Sequence, residues 1–169
     1  MMKKKKFLKV IPILLIIFFK LSGLGYGKVV HYTLKELTMM SDLIVVGRVI
    51  AVQESMVHKL ATVKIEEVAR GNFANEEITI KTAGRMRRST VKEEDLLDPD
   101  YMAGEHVLLF LRRIENNQYF ESSAGFRGKE LIKDNGKVSV YFGYSDGEWD
   151  FREVSLIECI KYIKSYLDE

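Results

Sequence analysis

The amino-acid sequence predicts a mainly β fold: a small closed barrel flanked by a short N-terminal helix and a C-terminal amphipathic helix. Three observations carry that expectation. Two segments, Leu43–Val46 and Val107–Leu111, are apolar at every position, so both faces must be covered, because a strand with one wet face alternates. A third segment, Lys59–Ala69, does alternate over most of its length. Two further stretches open with capping-box spacing and carry apolar residues at helical intervals. The helices then cover one face of the doubly apolar strands, and the barrel interior takes the other.

The elements follow in order. Thr33-Leu34-Lys35-Glu36 opens a helix to about Met40, with Leu34, Leu37 and Met40 expected on one face. Leu43–Glu54 is the first strand, and Gly47 within it suits a bulge or a bend at positive φ. In Lys59–Ala69, Ala61, Val63 and Ile65 share a face, and the adjacent Glu66 and Glu67 mark a bulge. The turn RGNFANE leads into a strand over Glu77–Thr82. Gly84–Gly104 reads as a long surface loop, and His106–Leu111 is the next strand. Three more strands are expected near 118–124, 129–133 and 137–144, with Asp134-Asn135-Gly136 as a hairpin turn between the last two. Ser155-Leu156-Ile157-Glu158 starts the final helix, which runs to about Leu167.

The N-terminus reads as an export signal. Lys3–Lys6 precede an uncharged run from Val10 to Phe19, and small residues follow from Ser22. That run is half the roughly 20 apolar residues a membrane span needs. Residues 1–27 are therefore expected to be cleaved after Gly27, and membrane contact is expected only through an uncleaved signal segment. The expected location is extracytoplasmic, secreted or in the cell envelope. Losing six lysines and no acid lowers the basic residues from 26 to 20 against 24 acidic ones, a net charge of about −4. A mildly acidic chain without a basic stripe is not expected to bind nucleic acid. Residues 28–169 suit a single domain. Cys159, the only cysteine, falls on an apolar helical stripe with Leu156, Ile160, Ile163 and Leu167, and is expected to be buried and inert.

Three short segments carry a family resemblance. Ser41-Asp42-Leu43-Ile44-Val45-Val46-Gly47-Arg48-Val49, then Val68-Ala69-Arg70-Gly71, then Gly104-Glu105-His106-Val107-Leu108-Leu109-Phe110-Leu111 resemble the netrin-like superfamily, which includes the tissue inhibitors of metalloproteinases. The chain is also similar to uncharacterised exported bacterial proteins of this length. The resemblance covers roughly residues 33–168 and implies an OB-like barrel of five or six strands with flanking helices. Those inhibitors chelate the protease zinc through an N-terminal cysteine, whereas the expected mature end here is Lys28 and the one cysteine is Cys159.

No cofactor or metal is implied, and no catalytic residue is identified. His31, His58 and His106 lack ligand spacing, and no serine sits in a G-x-S-x-G elbow. Asp95, Asp98, Asp100 and Glu105 lack the EF-hand pattern and read as a solvated acidic loop. The leading expectation is a noncatalytic binding or interaction module for an unknown extracytoplasmic protein or polymer. The alternatives are a protease inhibitor or a carbohydrate-binding module, and behind them a hydrolase. Two places are candidates for partner binding. Arg85, Arg87 and Arg88 lie in a loop longer than barrel closure requires, and arginine forks bind carboxylates or phosphates in two-point contacts. Trp149, beside the Asp146-Gly147-Glu148 turn and near Tyr141, Tyr144 and Phe151, would stack on a sugar ring if exposed, although core packing is expected to account for most of these aromatics.

Overall fold

The computed structural model describes residues 31–83, 99–114, 119–145 and 147–168. Helix α1 (Leu34–Met40) is followed by strands β1 (Leu43–Glu54), β2 (His58–Arg70), β3 (Glu77–Ala83), β4 (His106–Ile114), β5 (Tyr119–Phe126), β6 (Lys129–Leu131), β7 (Lys137–Ser145) and β8 (Glu148–Ser155), and then by helix α2 (Leu156–Leu167). β1 pairs antiparallel with both β2 and β4, β2 with β3, and β4 with β5. β3 meets β5 in parallel at Ile80 and Phe120. The ring therefore closes in the order β1-β2-β3-β5-β4, an OB-like barrel of five strands. β6 adds an extra strand on β4, and β7 and β8 form a separate two-stranded sheet.

The doubly apolar strands divide their side chains between two cores. Leu43, Val45, Val107, Leu109 and Leu111 point inward and pack with Ala61, Val63, Ile78, Ile80 and Phe120. Their neighbours Ile44, Val46, Leu108 and Phe110 point outward and pack with Leu34 and Leu37 of α1 and Cys159, Ile160 and Ile163 of α2. The helices are the expected cover. Val138 and Val140 of β7 join that outer layer as well. β1 loses its apolar outer row where the cover ends, since Arg48 and Ile50 are exposed while Val49 remains buried.

Both helices start as expected. Thr33 Oγ1 accepts from Glu36 N at 3.1 Å while the Glu36 carboxylate accepts from Thr33 N at 2.7 Å. Ser155 Oγ accepts from Glu158 N at 3.3 Å. The buried stripe of α1 is Leu34, Leu37 and Thr38, and Met40 is 45% exposed. Met40 lies six residues after Leu34, which turns it well away from the Leu34 face at 3.6 residues per turn. On α2, Leu167 also lies outside the buried set, which is Cys159, Ile160 and Ile163.

The β1–β2 ladder shifts register between Val46↔Glu67 and Gly47↔Ile65, which leaves Glu66 as the extra residue of the expected bulge. Gly47 is needed for a different reason from a positive φ. A Cβ there would run into Lys64 O and come within 2.8 Å of Val63 Cγ1, so close approach of β2 demands glycine.

Two expectations are corrected. Asp134-Asn135-Gly136 does make a turn, with Gly136 at φ +70° and its N–H donating to Lys133 O at 2.8 Å. The strand that leaves it, however, ladders with β8, a strand left unassigned by periodicity, and not with β6. The return of the long loop is also structural. Tyr101 is fully buried in the barrel interior. Lys59, at the end of the inward row Lys59, Ala61, Val63, is nearly buried and pairs with Asp100. Lys129 pairs with Glu105 at 2.6 Å and lies 4.9 Å above the Tyr101 ring. Asp100 and Glu105 thus belong to the closure of one barrel end; Asp95 and Asp98 lie outside the described residues.

Candidate functional site: an aromatic hairpin beside a mostly apolar cavity

β7 and β8 lie antiparallel, with Tyr141 opposite Phe151 and Tyr144 opposite Trp149. Three residues apart on a regular strand, Tyr141 and Tyr144 would point to opposite faces. The register shift between Tyr141 and Gly143 makes Phe142 the extra residue and returns both tyrosines to one side. Their ring centroids lie 5.0 Å from Phe151 and 5.1 Å from Trp149 respectively. Phe142 packs the other way, against Tyr162 of α2 at 5.2 Å and beneath the Arg152 guanidinium at 4.8 Å. His31 adds a fifth ring, 4.7 Å from Trp149 and 5.5 Å from Phe151. The expectation that core packing explains these aromatics is overturned for three of them: Trp149 is 52%, Tyr144 60% and Phe151 49% exposed.

Next to this face is a cavity of about 230 Å³. Leu34 and Leu37 of α1 form one wall, Ser139, Val140, Tyr141 and Phe151 of the hairpin another, and Arg127 and Glu130 supply charge, with His31 and Tyr32 completing it. Arg127 comes from the turn between β5 and β6. Its N–H donates to Ala124 O at 3.2 Å, and Gly128 N donates to Gly125 O at 3.1 Å. Gly128 fits tightly, since a Cβ would run into Ser122 Oγ and lie 2.9 Å from Phe110 O. Phe110 N donates to Gly128 O at 2.8 Å, which clamps the turn to β4. Glu130 stands opposite Leu108 in the β4–β6 ladder. It therefore shares the outward face of Leu108 and falls beneath the layer that covers the barrel.

That position sets the electrostatics. Burial pushes the Glu130 carboxyl up to about 7, against the opposing pull of Arg127. Burial, and then the Arg127 charge, lower the His31 imidazole below its ordinary value. His31 Nδ1 is shielded from solvent and has no hydrogen-bond partner among the described residues. Cys159, buried beneath the same layer, is pushed up to about 12 by burial and by the Glu130 charge, so the thiol is unreactive at neutral pH. The arrangement is an apolar and aromatic surface with a few polar groups converging at its edge, the usual character of a small-ligand site.

Of the residues singled out in the sequence, Trp149 lies at the centre of this face. Arg85, Arg87 and Arg88 lie outside the described residues. Sequence reasoning missed Arg127 and Glu130, which carry no motif and meet the hairpin only through the fold. It treated His31 as isolated, although His31 joins the ring cluster. The hairpin itself had a signal in Asp146-Gly147-Glu148 between two aromatic-rich stretches. No protein-family model matches this chain, and no curated protein matches its sequence.

Proposed function

We propose that this chain is a noncatalytic binding module, working outside the cytoplasm after loss of residues 1–27, that holds a sugar ring of an extracellular polymer on the β7–β8 aromatic face and in the adjoining cavity. The observation that carries this reading is the half-exposed set of Tyr144, Trp149 and Phe151, held on one face of a sheet by a bulge. Rings fixed in a ladder offer a large, flat contact at low conformational cost. Sugar rings present C–H faces to such rings and hydroxyls to their edges, and Arg127, Glu130 and Ser139 supply hydrogen-bonding groups beside them.

Binding is favoured over cleavage by the number of acids. Glycoside hydrolysis commonly uses two carboxylates flanking the bond, and Glu130 is the only carboxylate among the described residues that wall the cavity. Inhibition by zinc chelation finds no support in Cys159, which is buried with its thiol held neutral. Trp149 is the only tryptophan in the chain, so its fluorescence reports on the site directly. Titrating the mature protein with a panel of neutral and acidic oligosaccharides should give a saturable change in that emission for at least one of them. A panel without any saturable response, confirmed by calorimetry, would overturn the reading.

A further inference from the structure

We infer that the bound sugar carries a carboxylate, as a uronic acid does, and that Arg127 recognises it. This inference rests on the sugar-binding reading above and narrows it. Among the described residues, Arg127 is the only Lys or Arg that walls the cavity, and the clamped turn holds it in place through Gly128 and Phe110. Tyr141 and Phe151 wall the same cavity and belong to the aromatic face. One ring seated there can therefore rest on the aromatics while a carboxylate on its edge meets the guanidinium.

The side chains of the cavity wall suit an acid better than a neutral sugar. Among the described residues Glu130 is the only acid in the cavity walls, and burial raises its carboxyl to about 7, which weakens its repulsion of a ligand carboxylate. A guanidinium meets a carboxylate through two parallel hydrogen bonds, a geometry that a hydroxyl or an ester cannot match.

The test uses the full mature chain, with Trp149 fluorescence and calorimetry as readouts. The ligands are a short oligogalacturonate or oligoglucuronate, the same oligomer as its methyl ester, and a neutral oligosaccharide of equal length. The acid should bind about tenfold or more tightly than its ester, which corresponds to one charge-assisted contact. Arg127→Leu should remove that preference, so that acid and ester bind about equally, and Arg127→Lys should keep part of it. Melting curves establish that each variant is folded; if Arg127→Leu is not, the lysine variant still reads the preference. Equal affinity for acid and ester would overturn this inference and leave the sugar-binding reading standing. An undiminished preference in folded Arg127→Leu would remove Arg127 from the role. Binding of none of the three would count against the broader reading itself.

Discussion

The barrel and the β7–β8 hairpin are both β-structure, yet they use their side chains in opposite ways. β1 and β4 bury both faces over the stretch that the helices cover, and their side chains there are mostly aliphatic. Among its described residues the hairpin fully buries only Val138 and Val140, and it turns Tyr144, Trp149 and Phe151 toward solvent. Packing explains each residue in the barrel core, because removing any of them opens a cavity. It does not explain why a half-exposed strand pair carries rings where threonine or lysine would fold as well. The difference teaches that one region is scaffold, while the other leaves a ring-lined surface open to solvent, on which the proposed binding rests.

Deleting α2 should have the largest effect. It removes Cys159, Ile160 and Ile163 from the outer core and uncovers Ile44, Val46, Leu108 and Phe110. At about 1.5–3 kcal/mol for each large apolar side chain, the loss rivals the 5–15 kcal/mol, roughly, that hold an ordinary domain together. The truncated chain should lose its cooperative melting transition, as followed by circular dichroism. Gly47→Val should come next, at about 3 kcal/mol or more, because its branched side chain meets the β2 backbone at Lys64. Ser139→Val, on the exposed side of β7, should stay within about 0.5 kcal/mol in the same denaturant titration.

Glu130 tests whether the layer between scaffold and hairpin is as dry as its packing implies. Its folded pKa of about 7 lies above the 4.5 of a solvent-exposed glutamate, so the unfolded chain releases this proton first as pH rises. Its contribution is intact below about pH 4.5 and is lost as pH climbs through about 7. Glu130→Gln should match the parent near pH 4 and exceed it above pH 8, by at most about 3 kcal/mol. A constant difference between the two across that range would place Glu130 in water. Asp100→Ala should cost about 1–3 kcal/mol, because it strips the nearly buried Lys59 of its partner. Trp149→Ala should also be mild for the fold, within about 1 kcal/mol, and should weaken oligosaccharide binding at least tenfold, roughly one lost aromatic contact. A large fall in melting temperature for that variant would return Trp149 to the core.

Much of the scaffold was legible because its physics is one-dimensional. Leu43–Glu54 could be bounded from continuous apolarity, and the two helix starts from Thr33 with Glu36 and from Ser155 with Glu158. The bulge at Glu66 showed as a break in alternation. Tyr101 was not legible, since nothing local distinguishes a ring that enters the barrel from one on a loop. The site was legible only at Trp149. Glu130 sits on β6, a strand expected near 129–133, and Arg127 in the turn before it, but nothing local in so short a segment tells that either meets the hairpin. The second strand of the hairpin was hidden by its own composition: Glu148, Asp150, Arg152 and Glu153 interrupt an apolar pattern that its exposed face does not need.

The most direct test of the division between scaffold and contact surface is an amide and indole chemical-shift map recorded while the mature protein is titrated with an oligosaccharide that changes Trp149 emission. OB-fold proteins commonly bind ligands across the face of strands 2 and 3, which here carries Lys64, Glu66 and Lys81 on its outer side. The account predicts shifts confined to His31, Arg127–Glu130, Ser139–Tyr144 and Glu148–Phe151, together with the Trp149 indole. Shifts centred on β2 and β3, with the hairpin unmoved, would contradict it.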